Sequence, residues 1–244
     1  ALAANGQGFF LVWADSRDDR TGPDIYGTRL AGTGQVTPSG EVAISLGSQN
    51  QASPAMTSLG TNSLVVWVDY RKGNLDDPDL YGARINRSGE VLDPNGIAIS
   101  TTPEPVACPA AATDGTNALI IWQRQFAFGT GSGDFTEVRG TRVTVEGLVP
   151  DPNGFLLTTN ALNVNRATVA GNAHGYLVVW TDLRNTRSNG TAIYAARVSS
   201  GGTILDAEDI PIAAYTRTGV DPSVAASHDG YMVVEDLQTK STNR

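Results

Sequence analysis

Cysteine is nearly absent: Cys108 is the only one in 244 residues, which excludes an intrachain disulfide. It precedes Pro109 with no histidine or second cysteine nearby, so it reads as a small buried residue. Histidine is almost as scarce, and His174 and His228 sit beside Gly175 and Gly230 at matching places in an internal repeat, as turn residues would. The motifs G-x-S-x-G and H-E-x-x-H and the phosphate-binding glycine loop are missing, which removes the chemistries those motifs carry. No apolar run approaches the ~18 residues of a membrane span, and no signal peptide opens the chain. Basic clusters are lacking as well. With 17 Lys and Arg against 25 Asp and Glu the formal charge is −8, whereas nucleic-acid backbones demand clustered positive charge. Scarce cysteine suits a bacterial secreted protein or a cytosolic one equally. Ala1 already lies inside a repeat and is not Met, the expectation being a processed protein or a fragment.

What the chain does have is one segment written four and a half times. Its apolar centre reads GFFLVW (Gly8 to Trp13), NSLVVW (Asn62 to Trp67), NALIIW (Asn117 to Trp122), GYLVVW (Gly175 to Trp180) and GYMVVE (Gly230 to Glu235). Successive copies are offset by 54, 55, 58 and 55 residues, a period typical of propellers, solenoids and arrays. The repeats run 1–53, 54–108, 109–166 and 167–221, with a partial fifth at 222–244, and together form one domain. The 27 glycines and 12 prolines are spread among them, as many tight turns between short strands require.

Each repeat divides into four segments. The first is short and built from small residues: Ala1 to Ala4, Pro54 to Thr57, Pro109 to Ala112, Ala167 to Ala170, Pro222 to Ala225. Small side chains suit an innermost strand where sheets converge on an axis. The second, LVVW or LIIW, is apolar at successive positions, so both of its faces should be covered. The third is IYGTRL (Ile25 to Leu30), LYGARI (Leu80 to Ile85), VRGTRV (Val138 to Val143) and IYAARV (Ile193 to Val198), with Arg29, Arg84, Arg142 and Arg197 in register. The fourth opens at a turn, Asp93-Pro94-Asn95-Gly96 or Asp151-Pro152-Asn153-Gly154, in which Pro sets φ and Gly takes a positive φ. The expectation is an all-β fold, a β-propeller of four-stranded antiparallel blades with four complete repeats and a partial fifth. A fragment of a longer propeller of five or more blades is expected over a closed four-bladed ring.

The consensus LVVWxDxR … DIYGxRV … GxVLDxxG is carried by Trp13, Asp15, Arg17, Asp24, Tyr26 and Arg29, and again by Trp67, Asp69, Arg71, Asp79, Tyr81 and Arg84. It recurs at Trp180, Asp182, Arg184, Tyr194 and Arg197. It resembles the tandem repeats of secreted and cell-surface bacterial β-propeller proteins, which implies an extracellular or cell-surface location. Period-two geometry puts Trp13, Asp15 and Arg17 on one strand face. The indole fills the space between blades, and truncating it would cost roughly 3–5 kcal/mol. The aspartate is placed to accept loop N–H groups or to pair with the third-strand arginine. The third copy departs from the pattern with Gln123-Arg124-Gln125, and the fifth has Glu235 in place of Trp.

The long loops between second and third strands emerge on one side of a propeller and form the expected functional surface. Two acidic groups lie there, Asp15, Asp18, Asp19 and Asp24 with Asp69, Asp76, Asp77 and Asp79, which could serve a hard cation such as calcium. No other cofactor is expected. The third loop carries Arg124 with Phe126, Phe128 and Phe135 among glycines, residues that can stack on sugars or anchor a protein. The expected function is a noncatalytic module that binds protein or polysaccharide. The alternative is a glycan-active enzyme, hydrolase or lyase, working through paired carboxylates at the channel mouth. The open fifth repeat also offers strand edges for pairing with a missing segment or another chain.

Overall fold

In a computed structural model the described residues are 1–4, 6, 8–17, 22–126, 135–158, 164–184, 191–216 and 221–235. They contain strands and no helix. The first sheet holds β1 (Leu2–Ala4), β2 (Gly8–Asp15), β3 (Asp24–Ala31) and β4 (Val36–Ser45), hydrogen-bonded in that order. The second holds β5 (Gln51–Leu59), β6 (Asn62–Asp69), β7 (Asp79–Ile85) and β8 (Ile97–Ser100). The third holds β9 (Val106–Thr113), β10 (Ala118–Phe126), β11 (Phe135–Val143) and β12 (Phe155–Leu156). The fourth holds β13 (Asn165–Asn172), β14 (Gly175–Asp182), β15 (Thr191–Val198) and β16 (Ile210–Thr216). A two-stranded sheet, β17 (Ser223–Ala226) and β18 (Tyr231–Val234), ends the series. All pairings are antiparallel, and the architecture is the expected all-β propeller type.

The innermost strands β1, β5, β9, β13 and β17 contact one another in sequence. Apolar side chains fill the space between sheets in a repeated pattern. Phe10, Val12, Ile25 and Ile44 of the first sheet meet Met56, Val65, Trp67, Ala83 and Ile85 of the second. Leu64, Val66, Val68, Leu80 and Ile99 then meet Ile120, Trp122 and Val143. Leu119, Ile121, Val138 and Leu157 meet Tyr176, Val178, Trp180 and Val198. Every junction has the same polarity, with the tryptophan-bearing face of one blade seated on the preceding blade. At about 25 cal/mol per Å² of apolar surface removed from water, this burial is the main driving force for stacking.

The fully covered second strand is found where neighbours exist. β14 is buried throughout and β6 everywhere except its first residue, whereas β2 alternates, with Phe10 and Val12 buried and Phe9 exposed. The first blade has no partner on its tryptophan face among the described residues, and the strand reverts to a one-sided pattern.

The innermost strands differ from the expectation in extent and shape. β5, β9 and β13 begin before the Pro54, Pro109 and Ala167 positions and carry a register shift against the second strand. At that shift Ser53, Cys108 and Arg166 adopt left-handed backbone conformations, φ 52°, 51° and 52°. A bulge inserts one residue and turns a side chain out of phase, so Cys108 is exposed, contrary to the small buried residue expected.

Candidate functional site

The W-x-D-x-R motif closes on itself in the three blades that keep it. Trp67 Nε1 donates to Asp69 at 2.8 Å, and the Arg71 amide and guanidinium donate to the same carboxylate at 2.7–2.9 Å. The guanidinium lies over the Tyr81 ring, 3.6 Å from its centroid. The first blade repeats this: Trp13 and Arg17 both bond Asp15, and Arg17 covers Tyr26. In the fourth, Arg184 bonds Asp182 and covers Tyr194, while Trp180 Nε1 has no acceptor. The Arg17 guanidinium, then the Trp13 indole, hold the Asp15 carboxyl well below the ordinary carboxylate range.

The third-strand arginine does not pair with that aspartate. Arg84 bonds Asp93 through Nε and a terminal nitrogen at 2.9 and 2.8 Å, Arg142 bonds Asp151, and Arg197 bonds Asp206. Asp93 and Asp151 also open the D-P-N-G turns, with Gly96 at φ 75° and Gly154 at φ 72° as the turn requires. In the first blade Pro38 stands where Asp93 stands in the second, and Arg29 Nε is buried without a partner.

The acidic residues expected to gather around a cation are engaged individually. Asp15 and Asp69 hold the clamps just described, Asp24 accepts the Gly47 amide at 2.9 Å, and Asp79 pairs with Lys72 at 2.7 Å. Burial pushes the Asp79 carboxyl up despite the pull of Lys72. Asp76 is exposed, and Asp77 has one buried oxygen without a partner. Among the described residues no three His, Cys, Asp or Glu side chains group as a metal site. Asp18, Asp19 and Phe128 lie outside the described residues. Phe126 and Phe135 face each other in register at the ends of β10 and β11, with their backbones alone described. His174, whose amide bonds Asn172, and His228, beside Asp229, are exposed turn residues on the side opposite the long loops.

The third blade is built differently at the same place. Arg124 occupies the position of the motif aspartate, two residues after Trp122, and Arg139 stands opposite Trp122 where other blades have tyrosine. Trp122 Nε1, like Trp180 Nε1, has no acceptor. Arg124 is ion-paired with Glu104 and lies 3.4 Å from Glu137, which Arg139 contacts at 2.9 Å. Arg139 also donates to the carbonyls of Asn153 and Gly154. Glu104 precedes β9 by two residues and so stands beside the axis; Glu137 lies in β11, paired across the sheet with Arg124. Glu104 Oε2 and Gln123 Nε2 are buried without partners, a cost that structures seldom leave unexplained. Of these residues only Arg124 was singled out from the sequence. The signal for the rest was the reversal from Asp to Arg at position 124, which demands compensating carboxylates.

No protein-family model and no curated protein sequence matches the chain. Its fold is shared with solved structures. An α-L-arabinanase from Penicillium chrysogenum, complexed with arabinobiose, aligns over 94% of this chain and 71% of its own at TM-score 0.56 and 10% identity. An α-L-arabinofuranosidase from Lactobacillus brevis aligns over 86% and 75% at TM-score 0.53 and 11% identity. A puromycin hydrolase aligns over 96% of this chain and 35% of its own at TM-score 0.52 and 14% identity. At such identities the likeness is one of fold. All three are enzymes by name, which counts against the expected noncatalytic binding or structural module.

Proposed function

We propose that this chain is a glycan-active enzyme, a hydrolase acting on a polysaccharide outside the cell or at its surface, with Glu104 and Glu137 as its pair of carboxylates. The observation that carries this reading is the rewritten third blade. Two blades spend their motif aspartate on a closed Trp–Asp–Arg–Tyr clamp and a third on the same clamp without the indole bond, whereas one replaces it with an arginine that gathers two glutamates. Catalysis needs one asymmetric cluster, and glycoside hydrolysis needs two carboxylates, one to protonate the leaving oxygen and one to attack or to activate water. The names of the fold neighbours point to arabinose-containing polymers as the first substrates to try.

Arg124 bridges the two glutamates and so sets their relative positions. Glu104 keeps one buried oxygen without a protein partner. Glu137 is turned between two guanidinium groups, which fixes its orientation. Reducing-sugar release from arabinan and aryl arabinofuranosides tests the reading. Glu104→Gln and Glu137→Gln should each lower kcat by about 10²–10⁴-fold, with the fold retained and a lower melting temperature, because each removes a charge partner of the largely buried Arg124. Full activity in both variants would sink the assignment of this pair, and inactivity of the wild type across a panel of polysaccharides would sink the enzyme reading.

A further inference from the structure

We propose that Arg29 and Arg87 form a binding site for the carboxylate group of a small ligand, an organic acid or an acidic sugar. It lies at the junction of the first and second blades, on the side opposite the long loops, and is independent of the Glu104 and Glu137 pair.

The fold shows three times what this position holds. Arg84, Arg142 and Arg197 take Asp93, Asp151 and Asp206 through Nε and a terminal nitrogen, at 2.5–3.2 Å. That side-on fork matches a planar carboxylate. Arg29 is the fourth arginine in register, and Pro38 stands where the others have aspartate. The strand ladder jumps there from the Leu30–Val36 pair to the Thr28–Glu41 pair, and Pro38 is exposed. Glu41 is held by Arg17. The Arg29 guanidinium is left without a carboxylate, and of its three nitrogens only Nε is enclosed without a partner.

This site belongs to a complete junction. Arg29 pairs across the sheet with Phe10, which is buried under the second blade. Its stem lies 3.5 Å from where a Cβ on Gly89 of that blade would be. The turn closed by the Gly89 amide on the Asn86 carbonyl also carries Arg87, which is exposed. Arg87 reaches back over the first blade, with Nη2 3.3 Å from where a Cβ on Gly6 would be. Glu90 of the same turn accepts from Asn86 Nδ2 at 2.8 Å. Every other described arginine has a carboxylate partner. These two have none among the described residues, although the chain carries a formal charge of −8. Two unneutralised guanidinium groups at one end of one junction attract an anion, and the fork used by the other three arginines selects a carboxylate.

Nitrogen–proton NMR of the isotope-labelled full chain tests this, with acetate and galacturonate as carboxylates, galactose as the neutral sugar and chloride at matched ionic strength. The Arg29 Nε–H and Gly89 amide signals should move and saturate with both carboxylates and stay in place with galactose and chloride. A tighter response to galacturonate marks an acidic sugar as the source of the group, and equal responses mark a free organic acid. Arg29→Met, read at Gly89, should weaken binding by about tenfold or more, as loss of a charged hydrogen bond does, and Arg87→Ala by less. Pro38→Asp supplies the carboxylate from within, so it should abolish the response and raise the melting temperature. No saturable shift in the wild type, an equal shift in chloride, or binding that survives both Arg29→Met and Pro38→Asp would each overturn the proposal. Thermal melts establish folding, and Arg29→Met decides alone where Pro38→Asp melts early.

Discussion

The same arginine stands in register in the first and second blades, and the two should respond very differently to removal. Arg84 makes two bonds to Asp93 and a third, at 3.0 Å, to the Val145 carbonyl of the next blade. The side chains of Arg84 and Asp93 are 19% and 17% exposed. Exposed ion pairs contribute about 0–1 kcal/mol, and breaking a buried one costs about 3–5 kcal/mol. A pair that is four-fifths buried falls between, so Arg84→Met should cost about 2–3 kcal/mol, much of it from stranding Asp93. Arg29 has Pro38 where that aspartate would be, and Arg29→Met forfeits only packing of the side-chain stem, about 0–1 kcal/mol. For a chain of this size each kcal/mol shifts the melting temperature by about 2–4 °C. Calorimetry should therefore show Arg84→Met lower by about 4–12 °C and Arg29→Met by less than about 4 °C. Adding Asp93→Leu to Arg84→Met should recover part of the loss, a coupling that a double-mutant cycle isolates. Equal drops for the two arginines would refute the claim that the D-P-N-G aspartate is the working partner.

The turn glycines offer a contrast of packing with backbone strain. A Cβ on Gly154 would come within 2.3 Å of the Trp122 ring at φ 72°, whereas one on Gly34, at φ 84°, meets nothing within 4 Å. Gly34→Ala should cost about 1–2 kcal/mol and Gly154→Ala distinctly more in urea denaturation; equal costs would contradict the packing. Acid should weaken the fold through the clamps. The Arg197 guanidinium holds the Asp206 carboxyl below its ordinary range, and at Asp93 the bonds from Arg84 together outweigh the upward push of burial. Groups with depressed folded values stabilise above about pH 4 and lose that contribution as pH falls through the folded value. Melting temperatures should thus be level from pH 7 to about 5 and fall below about 4; a fall between pH 7 and 6 would point to other groups. Because Asp15 and Asp69 are engaged by tryptophan and arginine, melts in calcium and in chelator should coincide, and an upward shift in calcium would show that the acidic loops do bind it.

The sheets were readable from sequence because burial leaves a direct trace. LVVW and LIIW are apolar at every position when both sides are covered, and D-P-N-G admits few backbone paths. Polar partnerships were harder to read. Each complete repeat holds several arginines and several aspartates, and sequence order alone does not say that Arg71 closes on Asp69 while Arg84 reaches forward to Asp93. Cys108 was misplaced for a related reason: alternation predicts its direction only until a bulge shifts the phase by one residue. Arg124 was noticed among the loop aromatics, yet its meaning lay in what it replaced. Glu104 and Glu137 are 33 residues apart and belong together only after β10 and β11 pair and the chain returns to the axis at β9.

The Trp–Asp–Arg–Tyr clamp has a consequence for how such a chain can change over generations. All of its members come from two neighbouring strands of a single sheet and the start of the loop that joins them, so none depends on an adjacent unit for a polar partner. One unit can be rewritten, even with its charges inverted, without unpairing a group elsewhere. Duplication then supplies spare walls, and novelty can enter through one of them while the others keep the house standing.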